Sequence, residues 1–129
     1  MELPGKVALV TGAGRRLGRV LAQALAGRGM TVALHYHASE EGARSMEMEI
    51  RAAGGRAACF QADLSSADAA RALPGRVAAE WGRLDVLLNS AAVMHRLKFE
   101  DTTPAQWDAI LNLNLRSLFF CAQGAAPAL

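Results

Sequence analysis

Four short apolar runs, repeated at nearly even spacing, constrain the fold of this chain more than any other feature. The runs begin at Val7, Val32, Ala57 and Val86, so one run follows another about every 25 to 30 residues. Each run is continuously apolar, which is typical of strands covered on both faces. Apolar residues at helical spacing lie between the runs. The pattern predicts an α/β fold with a Rossmann-like, doubly wound parallel sheet, whose first four strands alternate with flanking helices.

Composition narrows the class of protein further. The chain has 129 residues, 52% of them hydrophobic, so it can bury the core of one domain spanning residues 1–129. Its formal net charge of +2 gives no reason to expect a nucleic-acid partner, and no apolar run is long enough to predict a membrane span. Cys59 and Cys121 lie far apart, and no group of residues has metal-ligand spacing. We therefore expect a cytoplasmic protein that binds no metal.

Two segments that contain proline predict where helices break and begin. Pro74 is expected to break or kink the third helix. A pattern that resembles a capping box is formed by Thr103 and Gln106, and Pro104 follows Thr103 directly. This pattern predicts a long helix that continues to about Ala122. The apolar face predicted for this helix carries Trp107, Ile110, Leu111, Leu118 and Cys121. No fifth strand follows, so the predicted sheet is incomplete at its C-terminal end.

A glycine-rich turn lies where the first predicted strand gives way to the first helix. It comprises Thr11, Gly12, Ala13, Gly14, Arg15, Arg16, Leu17 and Gly18. Glycine lets the backbone approach the phosphates of a dinucleotide closely, and the N-terminus of the following helix favours negative charge. The spacing is one residue longer than the common G-x-G-x-x-G pattern. We interpret this segment as a cofactor-binding turn, and the alternative is a glycine-rich turn that binds no ligand.

An absence of acidic residues indicates the type of cofactor. NAD-binding sites usually place Asp or Glu about 20 residues after the glycines, on the ribose 2′-hydroxyl. Here no acidic residue lies between Glu2 and Glu40, while Arg15 and Arg16 can hold a 2′-phosphate with charge-assisted hydrogen bonds. The second strand ends in residues 35–39, a segment that offers further donors from His35, Tyr36, His37 and Ser39. The predicted cofactor is NADP(H). Two other arginines near the first helix are interpreted as solvated charges, Arg19 and Arg28.

Two polar residues follow the third and fourth strands, at the strand ends where open α/β sheets bind ligands. Asp63 has two interpretations: a carboxylate that caps or turns the chain before the next helix, or an acceptor for the adenine amino group. Asn89 is followed by the small residues Ser90 and Ala91, against which a cofactor ring can lie. An asparagine such as Asn89, taken alone, is more often structural than functional.

Together these segments resemble the short-chain dehydrogenase/reductase family over the whole chain. Residues 11–18 are similar to its T-G-x-x-x-G-x-G turn, except that Arg16 replaces the middle glycine. This variant, with Leu-His-Tyr-His at residues 34–37, resembles the pteridine-reductase branch of the family. The resemblance implies that Asp63 and Leu64 contact the adenine. It also implies that residues 89–92, with Asn89 and Ala91 at matching positions, correspond to the family's N-N-A-G segment.

Asn114 lies in the last predicted helix, and two interpretations of it are open. Residues 113–119 are similar to the family's N-L-x-G-x-F segment, with Ser117 in place of glycine, which implies that Asn114 is catalytic. Its spacing from Leu111 and Leu118 places it on the apolar face, where a buried amide needs hydrogen-bond partners. The alternative is therefore a core amide whose hydrogen bonds are satisfied.

The residues that carry the family's chemistry are absent from these 129 residues. The family uses a Ser after a fifth strand and a Tyr-x-x-x-Lys pair, whereas the only tyrosine here is Tyr36, with Glu40 four residues later. The resemblance implies an NADP(H)-dependent oxidoreductase for a carbonyl or pterin-like small molecule, of which this truncated chain holds the cofactor-binding half. The alternative is a non-catalytic nucleotide-binding or interaction protein built on the half-fold. The open edge of the fourth strand favours a homo-oligomer, in which a partner chain covers it.

Overall fold

Strands and helices alternate along the chain in the computed structural model, which describes residues 1–129. The strands are β1 (Val7–Val10), β2 (Thr31–Tyr36), β3 (Arg56–Gln61) and β4 (Val86–Leu88). The helices are α1 (Arg16–Gly27), α2 (Glu40–Ala52), α3 (Ala67–Trp81), α4 (Pro104–Leu111) and α5 (Ser117–Ala125). A short 3₁₀ helix, Phe99–Asp101, precedes α4. None of the helices combines the length and the apolar character that crossing a membrane requires.

The four strands form one parallel sheet in the order β3-β2-β1-β4. β1 is central, because Ala8 aligns with Val32 of β2 on one side and with Val86 of β4 on the other. Every residue of β1 is buried, which explains why its sequence is continuously apolar. The predicted Rossmann-like arrangement is thus confirmed. β4 pairs only with β1, so its outer edge carries no strand.

Helices cover both faces of the sheet, and alternate residues of β1 point to opposite sides. Leu9 joins a core with Leu73 and Val77 of α3, to which α5 also contributes. Val10 joins a second core, which contains Met46 of α2 and part of α1. Two apolar layers therefore hold the central strand, and they fix the positions of the loops at its carboxyl end.

The third helix does not break at Pro74, so of the two predicted outcomes, a break or a kink, the break is wrong. α3 is continuous from Ala67 to Trp81, with Pro74 inside it. Proline in a helix interior costs about 3 kcal/mol, because it removes a hydrogen bond and crowds the preceding turn. Leu73 and Val77 on either side of it are buried in the core, and Ser66 caps the helix N-terminus by accepting a hydrogen bond from the Ala69 N–H at 3.2 Å. Burial and capping together outweigh the local cost.

The last helical region begins as predicted but is not a single α-helix. The Gln106 N–H donates to Thr103 Oγ1 at 3.2 Å, the Thr103 N–H donates to Gln106 Oε1 at 2.9 Å, and Pro104 follows the cap. A π-helical turn, Asn112–Arg116, then separates α4 from α5. The wider turn shifts the register between the two halves.

The predicted apolar face is wrong in two places. Cys121 is buried, but Trp107 is 61% exposed and Leu118 is 43% exposed. No residue of α4 is buried, since only α5 packs closely against α3. A single helical periodicity could not describe both halves, because the π turn rotates one relative to the other.

Candidate functional site

The glycine turn connects β1 to α1 and needs glycine at two points of close approach. Gly12 has φ +64°, and a Cβ there would lie 2.9 Å from the Ala91 Cα. A Cβ at Gly18 would lie 2.1 Å from the Gly12 carbonyl oxygen, which no side chain could tolerate. The turn therefore lies tightly against the first turn of α1 and against the chain that follows β4.

The same turn also meets the segment after β2. A Cβ at Gly14 would lie 2.8 Å from the Ser39 carbonyl oxygen. Gly14, Ser39 and Ala91, which are distant in sequence, thus converge at the carboxyl edge of the sheet. Open α/β sheets bind ligands at this edge.

The N-terminus of α1 carries unpaired donors. Arg15, the N-cap residue, makes no capping hydrogen bond with its side chain, and the first turn contains no acidic residue. The backbone N–H groups of Arg16, Leu17 and Gly18 have no hydrogen-bond partner in the chain. These groups and the helix dipole give this end a partial positive charge, so the geometry suits an anion.

Arg16 has an unusual backbone conformation for a side chain of its size. Its φ is +54°, and no other non-glycine residue of the chain has a positive φ. The family turn that residues 11–18 resemble has a glycine at this position, and glycine adopts a left-handed backbone without strain. Arg15 and Arg16 are both exposed, and neither forms an ion pair. Their guanidinium groups are thus free to meet an anionic ligand.

Thr11 fixes the chain after β4, a role that the sequence did not reveal. Its Oγ1 accepts hydrogen bonds from the Ser90 N–H at 2.9 Å and the Ala91 N–H at 3.0 Å. Its own N–H donates to the Leu88 carbonyl at 3.0 Å. Because one hydroxyl satisfies two adjacent amides, Ala91 is held in place against Gly12.

His35, expected as one of the donors at the end of β2, instead accepts a hydrogen bond from the glycine turn. It is buried in β2, where its Nδ1 accepts a hydrogen bond from the Gly12 N–H at 3.0 Å. Its Nε2 lies 2.9 Å from the Ala62 carbonyl oxygen. Burial lowers the pKa of His35 below its usual value of 6.5. The available signal was a polar residue directly after the apolar run 32–34, because a buried polar side chain needs partners.

Asp63 and Leu64 follow β3 at the same edge of the sheet. Asp63 Oδ1 accepts two hydrogen bonds from Ser65, one from the backbone N–H at 3.0 Å and one from the side-chain hydroxyl at 2.6 Å. These bonds lower the pKa of the Asp63 carboxyl. In the structure Asp63 therefore stabilises the turn before α3, which was one of the two interpretations of this residue. Its Oδ2 has no hydrogen-bond partner. Leu64 is buried in the core.

The other predicted cofactor residues differ widely in exposure. Leu17 and His37 are exposed, and so is Asn89, whose side chain makes no hydrogen bond. Tyr36, the last residue of β2, is buried instead. Ser39 precedes α2 without capping it through its side chain. All five lie at the carboxyl edge. Leu17 belongs to the glycine turn itself, and Ser39 lies against Gly14 of that turn.

Asn114 is half-buried and its amide is fully engaged by one residue. Its Oδ1 accepts a hydrogen bond from the Val93 N–H at 2.8 Å, and its Nδ2 donates to the Val93 carbonyl at 2.7 Å. Asn114 lies in the π turn, so it ties this turn to the loop after β4. The geometry agrees with the interpretation of a satisfied amide.

One of the arginine interpretations is wrong. Arg19 was expected to be a solvated helix charge, but it donates to the Gly42 carbonyl at 2.7 Å and to Glu49 Oε1 at 2.8 Å. It also lies 3.3 Å from Ser45 Oγ. The guanidinium therefore joins α1 to α2 beside the site, because tertiary packing brings carbonyl and carboxylate oxygens of α2 within its reach. Arg28 is exposed as expected.

A parallel sheet with a glycine-lined turn and an uncapped helix N-terminus at its carboxyl edge defines a Rossmann-type protein. No three His, Cys, Asp or Glu side chains converge in a way that could hold a metal ion. Residues 6–129 match the family described as short chain dehydrogenase. The chain therefore belongs to the short-chain dehydrogenase family.

Two bacterial relatives are similar to the chain over almost all of its length. An uncharacterized oxidoreductase of Methylorubrum extorquens is 38% identical over 128 residues, which are 99% of this chain and 52% of that protein. The 3-oxoacyl-[acyl-carrier-protein] reductase of Staphylococcus aureus is 38% identical over 122 residues, which are 95% of this chain and 50% of that protein. The chain thus spans about half the length of the curated relatives it matches.

A solved structure of a short chain dehydrogenase has the same fold as this chain over its whole length. The crystal structure of a short chain dehydrogenase from Burkholderia cenocepacia, in complex with NADP, matches with a TM-score of 0.96 and 40% sequence identity. The match covers 100% of this chain and 53% of that chain. The sheet order and the helix positions described above are therefore those of a family member.

Proposed function

We propose that residues 1–129 form the cofactor-binding half of an NADP(H)-dependent oxidoreductase that acts on a carbonyl compound or a pterin-like ring. One observation carries the proposal: the N-terminus of α1 presents unpaired backbone N–H groups beside two unpaired arginines and no carboxylate. Family membership supports an oxidoreductase, and the NADP in the Burkholderia cenocepacia structure supports the phosphorylated cofactor. When bound, the nicotinamide ring supplies or accepts the hydride.

The glycine turn fits the pyrophosphate in shape and in charge. Side chains at Gly12 and Gly18 would collide with neighbouring backbone, so both positions keep the backbone open to close approach. The free N–H groups at the start of α1 are donors for phosphate oxygens, and the helix dipole adds about half a positive charge there. We assign the pyrophosphate to this turn, with Gly12, Gly14, Leu17 and Gly18 as its binding residues.

The 2′-phosphate of the adenosine ribose would lie between the turn and the end of β2. The contact of Gly14 with Ser39 brings Arg15 and Arg16 close to the segment that contains His37. Glu40, the first acidic residue after Glu2, lies 3.7 Å from Arg44 on its own helix. Between the glycine turn and the end of β2, side-chain hydrogen-bond donors therefore outnumber carboxylates. This balance favours binding of NADP(H) over NAD(H).

The remaining cofactor contacts are assigned along the carboxyl edge of the sheet. We assign the adenine to the ends of β2 and β3, with Tyr36, Asp63 and Leu64. Asp63 keeps Oδ2 free to accept a hydrogen bond, because only Oδ1 is used by Ser65. The nicotinamide half is assigned to the chain after β4, at Asn89 and Ala91.

Asn114 is proposed as part of the catalytic machinery. The resemblance to the family's asparagine supports that assignment, and so does its position beside the loop after β4. In this chain the amide holds the Val93 peptide from both sides. We therefore propose that Asn114 acts by positioning that loop.

A second candidate function is favoured by one specific feature of the sequence. Residues 1–129 contain no Tyr-x-x-x-Lys pair, and their lysines are Lys6 and Lys98. A protein consisting of this half-fold alone would bind the nucleotide without proton transfer to a substrate. Binding of NADP(H) without turnover is the expected outcome for this alternative.

We also propose that the protein is a cytoplasmic homo-oligomer. Cys59 and Cys121 are both free thiols, which supports a reducing compartment. The outer edge of β4 is unpaired and Trp107 and Phe119 are largely exposed, which supports a second copy as a covering partner.

Comparison of the affinities for NADP⁺ and NAD⁺ tests the cofactor assignment. We expect the unmodified protein to prefer NADP⁺. The substitution Arg16→Glu is expected to reduce that preference roughly 10- to 100-fold, because hydrogen bonds to charged groups contribute about 1.5–3 kcal/mol. Isothermal titration calorimetry with both nucleotides measures the ratio.

The matched control is Arg28→Glu, which makes the same charge change at the far end of α1. It should leave the ratio of the two affinities unchanged. Equal affinities of the unmodified protein for NADP⁺ and NAD⁺ would contradict the assignment. An equal loss of preference in both variants would attribute the effect to net charge and not to contact with the 2′-phosphate.

A further inference from the structure

His35 is a buried imidazole with two hydrogen bonds that leave no choice of tautomer. The Gly12 N–H can only donate, so Nδ1, at 3.0 Å, must be unprotonated. The Ala62 carbonyl can only accept, so Nε2, at 2.9 Å, must carry the proton. The ring is therefore neutral in this conformation, and it links the turn after β1 to the end of β3.

Gly12 is the point at which this ring can affect the phosphate turn. Its N–H is bound by His35, its Cα lies against Ala91, and its carbonyl oxygen lies against Gly18 at the start of α1. A movement of the Gly12 peptide would therefore displace the backbone on both sides of the glycine turn. The His35 carbonyl reinforces the connection, because it accepts a hydrogen bond from the Ala13 N–H at 2.9 Å.

Protonation of the ring would oppose this arrangement directly. A second proton on Nδ1 would face the Gly12 N–H, so two donors would meet without an acceptor between them. A buried donor without a partner is strongly disfavoured, and the turn would have to move away from the ring. The carbonyl at Ala62 would be unaffected, because Nε2 is a donor in both states.

We propose that His35 is a positioning residue that holds the glycine turn in its phosphate-binding conformation only while its imidazole is neutral. The proposal rests on the function proposed above, NADP(H) binding by this turn, and it adds a dependence of that binding on acid. Protonation of the ring would release the turn without changing any residue that contacts the cofactor.

The charges around His35 oppose its protonation. His37, farther along the same chain segment, and Arg76 of α3 both lower the pKa of His35 in addition to burial. The turn after β1 presents only the Gly12 backbone to the ring, and the end of β3 presents the Ala62 carbonyl. The Asp63 carboxylate is engaged by Ser65. The change in cofactor affinity is therefore expected on the acid side of pH 6.5.

Two substitutions separate the two hydrogen bonds of the ring. In His35→Asn, the amide oxygen can occupy the place of Nδ1 and accept from Gly12. In His35→Gln, the longer amide can instead donate to Ala62 in place of Nε2. Both variants remove the ring, so they share any general cost of lost packing.

The experiment measures the affinity for NADP⁺ by calorimetry from about pH 8 down to the lowest pH at which the protein stays folded. The unmodified protein should lose about tenfold in affinity below the pKa of the ring, in line with one buried hydrogen bond. His35→Asn should bind at neutral pH within about threefold of the unmodified protein and lose this acid dependence. His35→Gln should bind about tenfold more weakly throughout the range.

The 2′-phosphate of the cofactor and the His37 side chain both need controls. The 2′-phosphate has a pKa near 6, so NAD⁺, which lacks it, is titrated in parallel. His37→Asn removes the exposed neighbouring imidazole. A pH dependence of affinity that comes from His35 should remain when NAD⁺ replaces NADP⁺, and it should remain in the His37→Asn variant. It should be absent from the His35→Asn variant. The same pH dependence in the unmodified protein and in His35→Asn would overturn the proposal.

Nuclear magnetic resonance of the cofactor-free protein distinguishes this inference from the proposed function. With ¹⁵N-labelled histidine and glycine, the His35 ring nitrogens and the Gly12 amide should shift together in one acid titration. If NADP⁺ fails to bind at any pH, the proposed function fails, and a joint titration still upholds the link between ring and turn. If the His35 ring titrates and the chemical shift of the Gly12 amide stays constant, the proposed connection between ring and turn is refuted. This measurement does not depend on either variant folding.

Discussion

Arg16 combines a strained backbone with a side chain suited to binding. A left-handed conformation costs a non-glycine residue about 1–2 kcal/mol, and Arg16 adopts it with φ +54°. Its exposed guanidinium makes no ion pair within the chain that could offset this cost. Strain of this kind often accompanies a functional site, and here it places a positive charge beside the free N–H groups of α1.

Arg16→Gly should therefore stabilise the fold and weaken cofactor binding together. We expect the free energy of unfolding to rise by up to about 1 kcal/mol, because glycine adopts positive φ without strain. The affinity for NADP⁺ should fall, because the guanidinium is lost. Urea unfolding and calorimetry measure the two effects.

Arg15→Gly is the control for this prediction. Arg15 has φ −161°, an extended conformation that any residue adopts, so glycine relieves no strain there. A gain in stability from Arg15→Gly equal to that from Arg16→Gly would show that the backbone strain at Arg16 contributes nothing.

The helical region after β4 shows how one side chain can join two elements. The π turn at Asn112–Arg116 places Asn114 opposite Val93, and the amide bonds both the N–H and the carbonyl of that residue. Asn112, in the same turn, makes no side-chain hydrogen bond. The loop after β4 is thus held to the helical region by a single residue.

Asn114→Leu should be more destabilising than Asn112→Leu. Leucine at position 114 would leave two half-buried backbone groups of Val93 without partners, at a cost of roughly 1–3 kcal/mol in the free energy of unfolding. Asn112→Leu removes no hydrogen bond and should change it by less than about 0.5 kcal/mol. Urea unfolding, with hydrogen exchange at the Val93 amide, measures the difference. Equal small effects would mean that the pairing with Val93 adds nothing to stability.

Residues 1–129, taken together, have an unpaired strand edge and an exposed apolar surface. β4 pairs on one side only, and Trp107, Leu115 and Phe119 are each about 60% exposed. Patches of this kind usually mark places where another chain or segment binds. The same 129 residues lack the Tyr-x-x-x-Lys pair through which the family transfers a proton.

A polypeptide of these 129 residues, purified alone, should bind NADPH, self-associate and fail to reduce carbonyl or pterin substrates. General acid catalysis contributes about 100- to 10,000-fold, and no positioned donor replaces the missing tyrosine. The absorbance of NADPH reports turnover, and light scattering reports association. A family member that contains both residues is the positive control. Rapid turnover by a monodisperse polypeptide would show that the active site lies among these residues.

The sequence by itself determined the elements and the position of the candidate site. The continuous apolar runs at even spacing indicated parallel strands, and β1 and β2 are buried along their whole length, whereas β3 and β4 are only partly buried. Thr103, Pro104 and Gln106 specified a helix start, because capping depends on residues within one turn. Gly12 and Gly18 marked the turn between strand and helix. Each of these signals acts between residues that are close along the chain.

Only the tertiary structure decided which distant groups meet. Several hydrogen bonds join residues that lie 23 to 80 positions apart in the sequence. They connect His35 with Gly12, Thr11 with Ser90 and Ala91, and Arg19 with Gly42. Such pairs leave little trace in local periodicity, because a hydroxyl, an imidazole or a guanidinium has several possible partners until the sheet order places one within reach. The predicted apolar face likewise failed at Trp107 and Leu118, because local periodicity does not show which part of a helix packs on the core, and α4 buries no residue.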